Sequence, residues 1–121
     1  MKDLFSIEGK VALVTGGSSG IGAMIARGYV EAGAKVYIAS RKKDVCEQVA
    51  AELSEKGTCI ALAANLQEAS ECVRLADEIA NREGKLDILV NNAGANWGEP
   101  IESFPDAAWD RVLGLNVKAV F

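Results

Sequence analysis

The chain has 121 residues, half of them hydrophobic, and carries 13 Lys and Arg against 17 Asp and Glu for a formal charge of −4. That length suffices for one globular domain with its own core and not for two, and the acid excess excludes the broad basic face with which a nucleic-acid binder displaces counterions. Histidine is absent, which excludes His-dependent Ser or Cys triads and His-ligated metal sites within these residues, so no metal is expected.

Residues 1–10 hold charges at Lys2, Asp3, Glu8 and Lys10 and lack the apolar stretch of a secretory signal. No run of 18 apolar residues occurs, so no membrane span and no membrane partner are expected. Cys46, Cys59 and Cys72 are odd in number and form no C-x-x-C pair. Free thiols, a reducing compartment and a cytoplasmic location are therefore expected. Neither a low-complexity linker nor an internal repeat divides the sequence, and residues 1–121 are read as one unit.

The first element is a β-rich apolar run at residues 10–15 (KVALVT), too short for a helix. Runs at 35–39, 58–63 and 86–90 repeat that character, and all four are expected to be buried strands. Between them, Ile21, Met24, Ile25, Gly28 and Tyr29 share one helical face, Val45, Val49 and Leu53 a second, and Cys72, Leu75, Ala76 and Ile79 a third. Gly33 and Gly57 stand where the first two helices should stop with a positive φ. A last helix is expected to start near Ser103 as N-cap, with Pro105 in its first turn. Trp109, Val112, Leu113, Asn116, Val117 and Val120 continue its period until the chain stops uncapped at Phe121, so a truncated chain is expected. The alternation predicts the α/β class: four β-α units of a Rossmann-type, doubly wound parallel sheet in the order 3-2-1-4, with the later strands of that fold absent from this chain.

Residues 15–22 (TGGSSGIG) fall at the first strand-to-helix turn, where backbone N–H groups can meet a phosphate at the positive end of a helix. A P-loop is disfavoured, because Ala23 and Met24 occupy the places of its Lys and Ser/Thr. Residues 16–20 also fit the G-x-S-x-G nucleophile elbow, but no histidine follows to activate Ser18. A merely flexible turn is the remaining alternative.

Three motifs then occur in order: T-G-x-x-x-G-x-G at 15–22, N-N-A-G at 91–94 after the fourth strand, and Asn116 within Leu115-Asn116-Val117 on the following helix. On these the whole chain resembles the N-terminal half of the short-chain dehydrogenase/reductase family, with neighbouring residues similar to bacterial 3-oxoacyl thioester reductases. The resemblance implies hydride transfer between a nicotinamide and a ketone or secondary alcohol, and a homo-oligomer, commonly a tetramer, joined through the helix that carries Asn116. It implies a dinucleotide along Gly16, Ser18, Ser19, Gly20, Ile21 and Gly22, with Asn92, Ala93 and Gly94 under the nicotinamide ribose and Asn91 tying strands together. It further implies that the main chain of Asn116 holds a proton-relay water. An interior asparagine bonded to nearby backbone is the other possibility there.

An acidic residue after the second strand would select NAD, but Ser40, Arg41, Lys42 and Lys43 stand there, which reads as NADP(H) with Arg41 forking onto a 2′-phosphate and Lys42 or Lys43 adding charge. The alternative is a solvated helix start, although cations at a helix N-terminus oppose its dipole. Two positions depart from the family's commoner pattern. Ser19 replaces a basic residue, and Asn65 replaces the aspartate that bonds the adenine amino group, an amide oxygen still being able to accept that bond. Leu66 is either an adenine contact or core. Trp97 is either a substrate platform or loop packing.

The family's Ser, Tyr and Lys are missing: Tyr29 is followed four residues on by Gly33, and Tyr37 by Arg41, so no Tyr-x-x-x-Lys exists here. The chain alone is expected to be inactive. Two other functions are compatible with these residues, a non-catalytic NADP(H)-binding sensor and a serine hydrolase built on Ser18 with a histidine supplied from elsewhere.

Overall fold

The computed structural model describes residues 3–95 and 98–121. Four parallel strands, β1 (Val11–Thr15), β2 (Lys35–Ser40), β3 (Thr58–Ala63) and β4 (Ile88–Val90), form one sheet in the order β3-β2-β1-β4. Helices α1 (Gly20–Glu31), α2 (Lys43–Leu53) and α3 (Ala69–Glu83) connect them, and α4 (Asp106–Leu113) follows. This is the expected doubly wound order.

Strand alternation sends neighbouring side chains to opposite faces, and both faces are covered, which is why these strands read as unbroken apolar runs. Val14, Val36 and Ile38 pack with Ala26 and Val30 of α1 and with Cys46 and Ala50 of α2. Leu13, Tyr37 and Leu62 point the other way, onto Leu75 and Ile79 of α3. Each fully buried Val or Ile contributes roughly 1.5–3 kcal/mol. Burial raises the thiol pKa of Cys46, and that of Cys59 to about 12, so these two stay protonated and unreactive, and all three cysteines are free.

Several local expectations are corrected. On α1 the inward face is Gly22, Ala26 and Val30, while Ile21 and Met24 are 70% and 72% exposed and Gly28 is exposed, because the small residues are what let the helix lie close to the sheet. Gly33 has the positive φ expected, 90°. Gly57 does not: α2 ends at Leu53, and Gly57 is required instead because a Cβ there would lie 2.9 Å from Val30 Cγ1. The fourth strand has three residues rather than five and is only partly buried. Asp87 ends it by accepting the Val11 N–H at 2.8 Å through Oδ2 while donating its own N–H to Val11 O at 2.9 Å.

Ser103 is not an N-cap. It closes a 3₁₀ turn, Ile101–Ser103, and Pro105 is the N-cap of α4. The residue before a proline is pushed out of the helical region, and Phe104 is indeed extended at ψ 113°, so a helix cannot begin earlier. Phe104 then packs edge-to-face on Trp109 at 5.4 Å, a staple from the residue before the cap to the first turn. The helix does not run on regularly either: Gly114–Lys118 is a π turn, in which the Ala119 N–H reaches five residues back to Gly114 O at 2.8 Å.

Candidate functional site

The carboxyl ends of β1, β2 and β3 open into a groove of about 270 Å³, bounded by the first strand-to-helix turn, residues 40–42, residues 64–67, residues 92–94, and Arg111 and Leu115. Eleven residues expected to bind the dinucleotide meet here: Gly16, Ser18 and Ser19 from the turn, Ser40, Arg41 and Lys42 after β2, Asn65 and Leu66 after β3, and Asn92, Ala93 and Gly94 after β4. Gly20, Ile21 and Gly22 do not line it. They form the first turn of α1, directly after Ser19 on the groove wall.

The turn is held in shape by contacts that leave the helix end free. Gly16 takes a φ of 66°, open to glycine and costly for a side chain, and its N–H bonds Ala39 O at 2.8 Å. The Thr15 hydroxyl accepts the N–H groups of Asn92 and Ala93, each at 3.0 Å, and donates to Val90 O at 3.2 Å. Asn92 Nδ2 donates to Gly16 O at 3.2 Å. A Cβ on Gly22 would sit 2.2 Å from Gly16 O and 2.4 Å from Asn92 Nδ2, so only glycine lets α1 approach the turn this closely.

The electrostatics favour an anion. Each of α2, α3 and α4 carries an acid in its first turn, Asp44, Glu71 and Asp106, whereas α1 carries none, and its N-cap Ser19 makes no side-chain cap. The partial positive charge of that helix end is therefore uncompensated where it meets the groove. Among the described residues, Arg41 and Lys42 make no ion pair, although most cations of this acidic chain do.

The floor beyond β3 is built by Asn65, whose Oδ1 accepts the Gln67 N–H at 3.2 Å and keeps a second lone pair. Nearby, Arg74 bonds Glu71 at 2.6 Å and Ala63 O at 2.6 Å, and the guanidinium holds the Glu71 carboxyl below its usual pKa. Leu66 lines the groove while also packing against the α3-side core.

Asn116 is not in the groove. It is exposed on the π turn, and its side chain is bonded at both ends to one residue: Oδ1 accepts the Ala95 N–H at 2.8 Å and Nδ2 donates to Ala95 O at 2.7 Å. The backbone-bonded alternative thus describes its side chain, and a buried position does not. Asn91 lines an adjoining apolar cavity of about 720 Å³ along α3 and β4, which shares Leu66, Gln67, Ala93 and Leu115 with the groove and is bordered by Leu89 and Phe121. Trp97, with Asn96, lies outside the described residues.

Gln67, Arg111 and Leu115 were missed as groove residues, as were Ala39 and Ala64. Gln67 Nε2 donates to Arg111 O at 3.2 Å across 44 positions, a juxtaposition no motif announces. One signal was available: Arg111 has Ala107, Ala108, Gly114 and Leu115 at the helical neighbour positions, so no acid is there to occupy it.

The profile of the family described as short chain dehydrogenase matches residues 10–121. The chain is 48% identical over 121 residues to the rhamnolipids biosynthesis 3-oxoacyl-[acyl-carrier-protein] reductase of Pseudomonas aeruginosa, covering all of this chain and 47% of that protein. Among solved structures it resembles the Pseudomonas aeruginosa RhlG/NADP active-site complex, with a TM-score of 0.93 at 48% identity over 100% of this chain and 47% of the other. It also resembles L-sorbose reductase from Gluconobacter frateurii complexed with NADPH and L-sorbose, with a TM-score of 0.90 at 34% identity over 95% of this chain and 44% of the other. The chain spans about half the length of these relatives.

Proposed function

The chain belongs to the short chain dehydrogenase family, and on that premise we propose that residues 1–121 are the NADP(H)-binding portion of a cytoplasmic, single-domain oxidoreductase acting on a ketone or secondary alcohol, with a 3-oxoacyl thioester as the first substrate class to test. The observation that carries this is the pairing of two unspent positive features on one groove: an α1 N-terminus with no acid in its first turn, and an Arg41 with no ion-pair partner among the described residues. A dinucleotide bearing both a diphosphate and a 2′-phosphate would engage both features of one groove. The solved relatives with NADP and NADPH, and the 3-oxoacyl reductase relative, support the choice.

In this account the N–H groups at Ser19–Gly22 take the diphosphate, and Gly22 keeps the helix close enough to deliver them. Arg41 forks onto the 2′-phosphate, Ser40 and Lys42 flank it, and the free lone pair of Asn65 accepts the adenine amino group above Leu66. Asn92, Ala93 and Gly94 pass beneath the nicotinamide ribose, held at their height by the Thr15 hydroxyl. The bound nicotinamide supplies or receives the hydride. Asn116 acts by its main chain, its side chain being committed to Ala95, and the π turn loosens the backbone there in a way often met at functional sites. The exposed stripe of Trp109, Leu113, Val117 and Phe121 is the surface we assign to a homo-oligomer, a dimer or tetramer.

The test is consumption of NADPH by the full-length protein with a 3-oxoacyl thioester or a simple ketone as acceptor. NADPH-dependent reduction of either supports the proposal, and folded protein that reduces neither and oxidises no secondary alcohol contradicts it.

A further inference from the structure

Arg111 occupies the last turn of α4 and borders the groove, yet nothing in the account above uses it. Its side chain makes no ion pair or hydrogen bond among the described residues, and its helical neighbours at three and four positions in either direction carry no acid. An unspent guanidinium beside a groove in a chain of net charge −4 is available for a ligand.

Its backbone position along the groove is fixed. Gln67 Nε2 donates to Arg111 O at 3.2 Å, while the Gln67 N–H donates to Asn65 Oδ1 at 3.2 Å. This chain of two bonds ties the end of α4 to the loop after β3, from which Asn65, Leu66 and Gln67 line the groove together with Arg111. Arg41 and Lys42 approach from the loop after the neighbouring strand β2. The groove therefore has cations on two sides of its β3 end.

We infer that Arg111 is a nucleobase-contacting residue, whose planar guanidinium lies against the adenine of the bound dinucleotide while Leu66 supports it from the floor. This rests on the NADP(H) proposal above. Arginine suits the task because its delocalised, weakly hydrated plane stacks on aromatic faces, where a lysine ammonium does not. The contact is to a part that NADPH and NADH share, so Arg111 raises affinity for both, whereas Arg41 separates them.

The experiment measures NADPH and NADH dissociation constants by titration of the full-length protein, wild type against Arg111→Ala and Arg111→Lys, with unliganded melting curves of each. The Gln67 bond uses the main chain of Arg111, so both variants should melt as wild type does. Arg111→Ala is expected to weaken both cofactors by the same factor, about 3- to 30-fold, with Arg111→Lys recovering only part of it. Unchanged constants overturn the inference, and so does a loss confined to NADPH, which would put Arg111 on the 2′-phosphate. Wild-type protein that binds no NADPH would instead overturn the cofactor proposal, so the two failures are distinguishable.

Discussion

Thr15 and Asn92, 77 positions apart, hold each other's ends of the sheet in register: the Thr15 hydroxyl accepts the Asn92 N–H at 3.0 Å, and the Asn92 amide reaches back to Gly16 O at 3.2 Å. Through this pair the N-N-A-G segment and the glycine turn become one rigid surface. Thr15→Val keeps the shape but leaves the Ala93 N–H without its acceptor and the Asn92 N–H with Val90 O alone, at 3.1 Å, in a half-buried setting. A loss of about 1–3 kcal/mol is expected. Thr15→Ser should restore most of it, and denaturant midpoints of the three proteins check this.

Two glycines of the same helix should respond with opposite sign. Gly22→Ala places a methyl 2.2 Å from Gly16 O, so α1 must withdraw, costing about 1–3 kcal/mol and weakening NADPH binding. At Gly28 a Cβ meets nothing within 4 Å, and Gly28→Ala should stabilise by about 0.5–1 kcal/mol. Thermal melting with and without NADPH reads both.

Tyr37 is fully buried on β2, with its hydroxyl on the Glu83 carboxylate that Lys35 also pairs at 2.7 Å. Burial first, then the hydrogen bond to Glu83 and its charge, pushes the phenol up to about 12 from an ordinary 10. The unfolded chain thus releases this proton at lower pH than the folded one. The stabilising contribution is whole below pH 10 and falls away as pH climbs toward 12. Tyr37→Phe should flatten that alkaline limb. At the acid end the sign reverses: Lys35, then Tyr37, hold Glu83 below its ordinary 4.5, so its contribution is whole above that value and lost as pH falls beneath it. Glu83→Gln should flatten that limb, read by melting temperature against pH.

The 121 residues alone are predicted to give no NADPH-dependent ketone reduction above background. Tyr29 and Tyr37 lack a lysine four residues on, and Tyr37 is sealed between β2 and α3. A spectrophotometric assay of the isolated chain checks this, and any turnover would show that another acid serves.

What was legible in the sequence is what local periodicity and motifs encode. The strands at 35 and 58 and the glycine turn could be read because apolar runs and phosphate-cradling turns are local signals. The reason for Gly57 is not local, since the neighbour that requires it, Val30, comes from another helix. Pro105 fixes the start of α4 through the backbone of Phe104, a local constraint that overrides the capping preference of Ser103. The acid-free neighbourhood of Arg111 is legible in the sequence, but its meeting with Gln67 is not, because only the folded arrangement of α4 against the loop after β3 joins them.

The central claim is that the groove takes a phosphorylated adenosine through Arg41. The measurement that tests it most directly is the dissociation constant of the full-length protein for NADPH and for NADH, in wild type and in Arg41→Ala. A loss of about 1.5–3 kcal/mol for NADPH with little change for NADH is predicted. Equal losses for the two, or no loss at all, would contradict it.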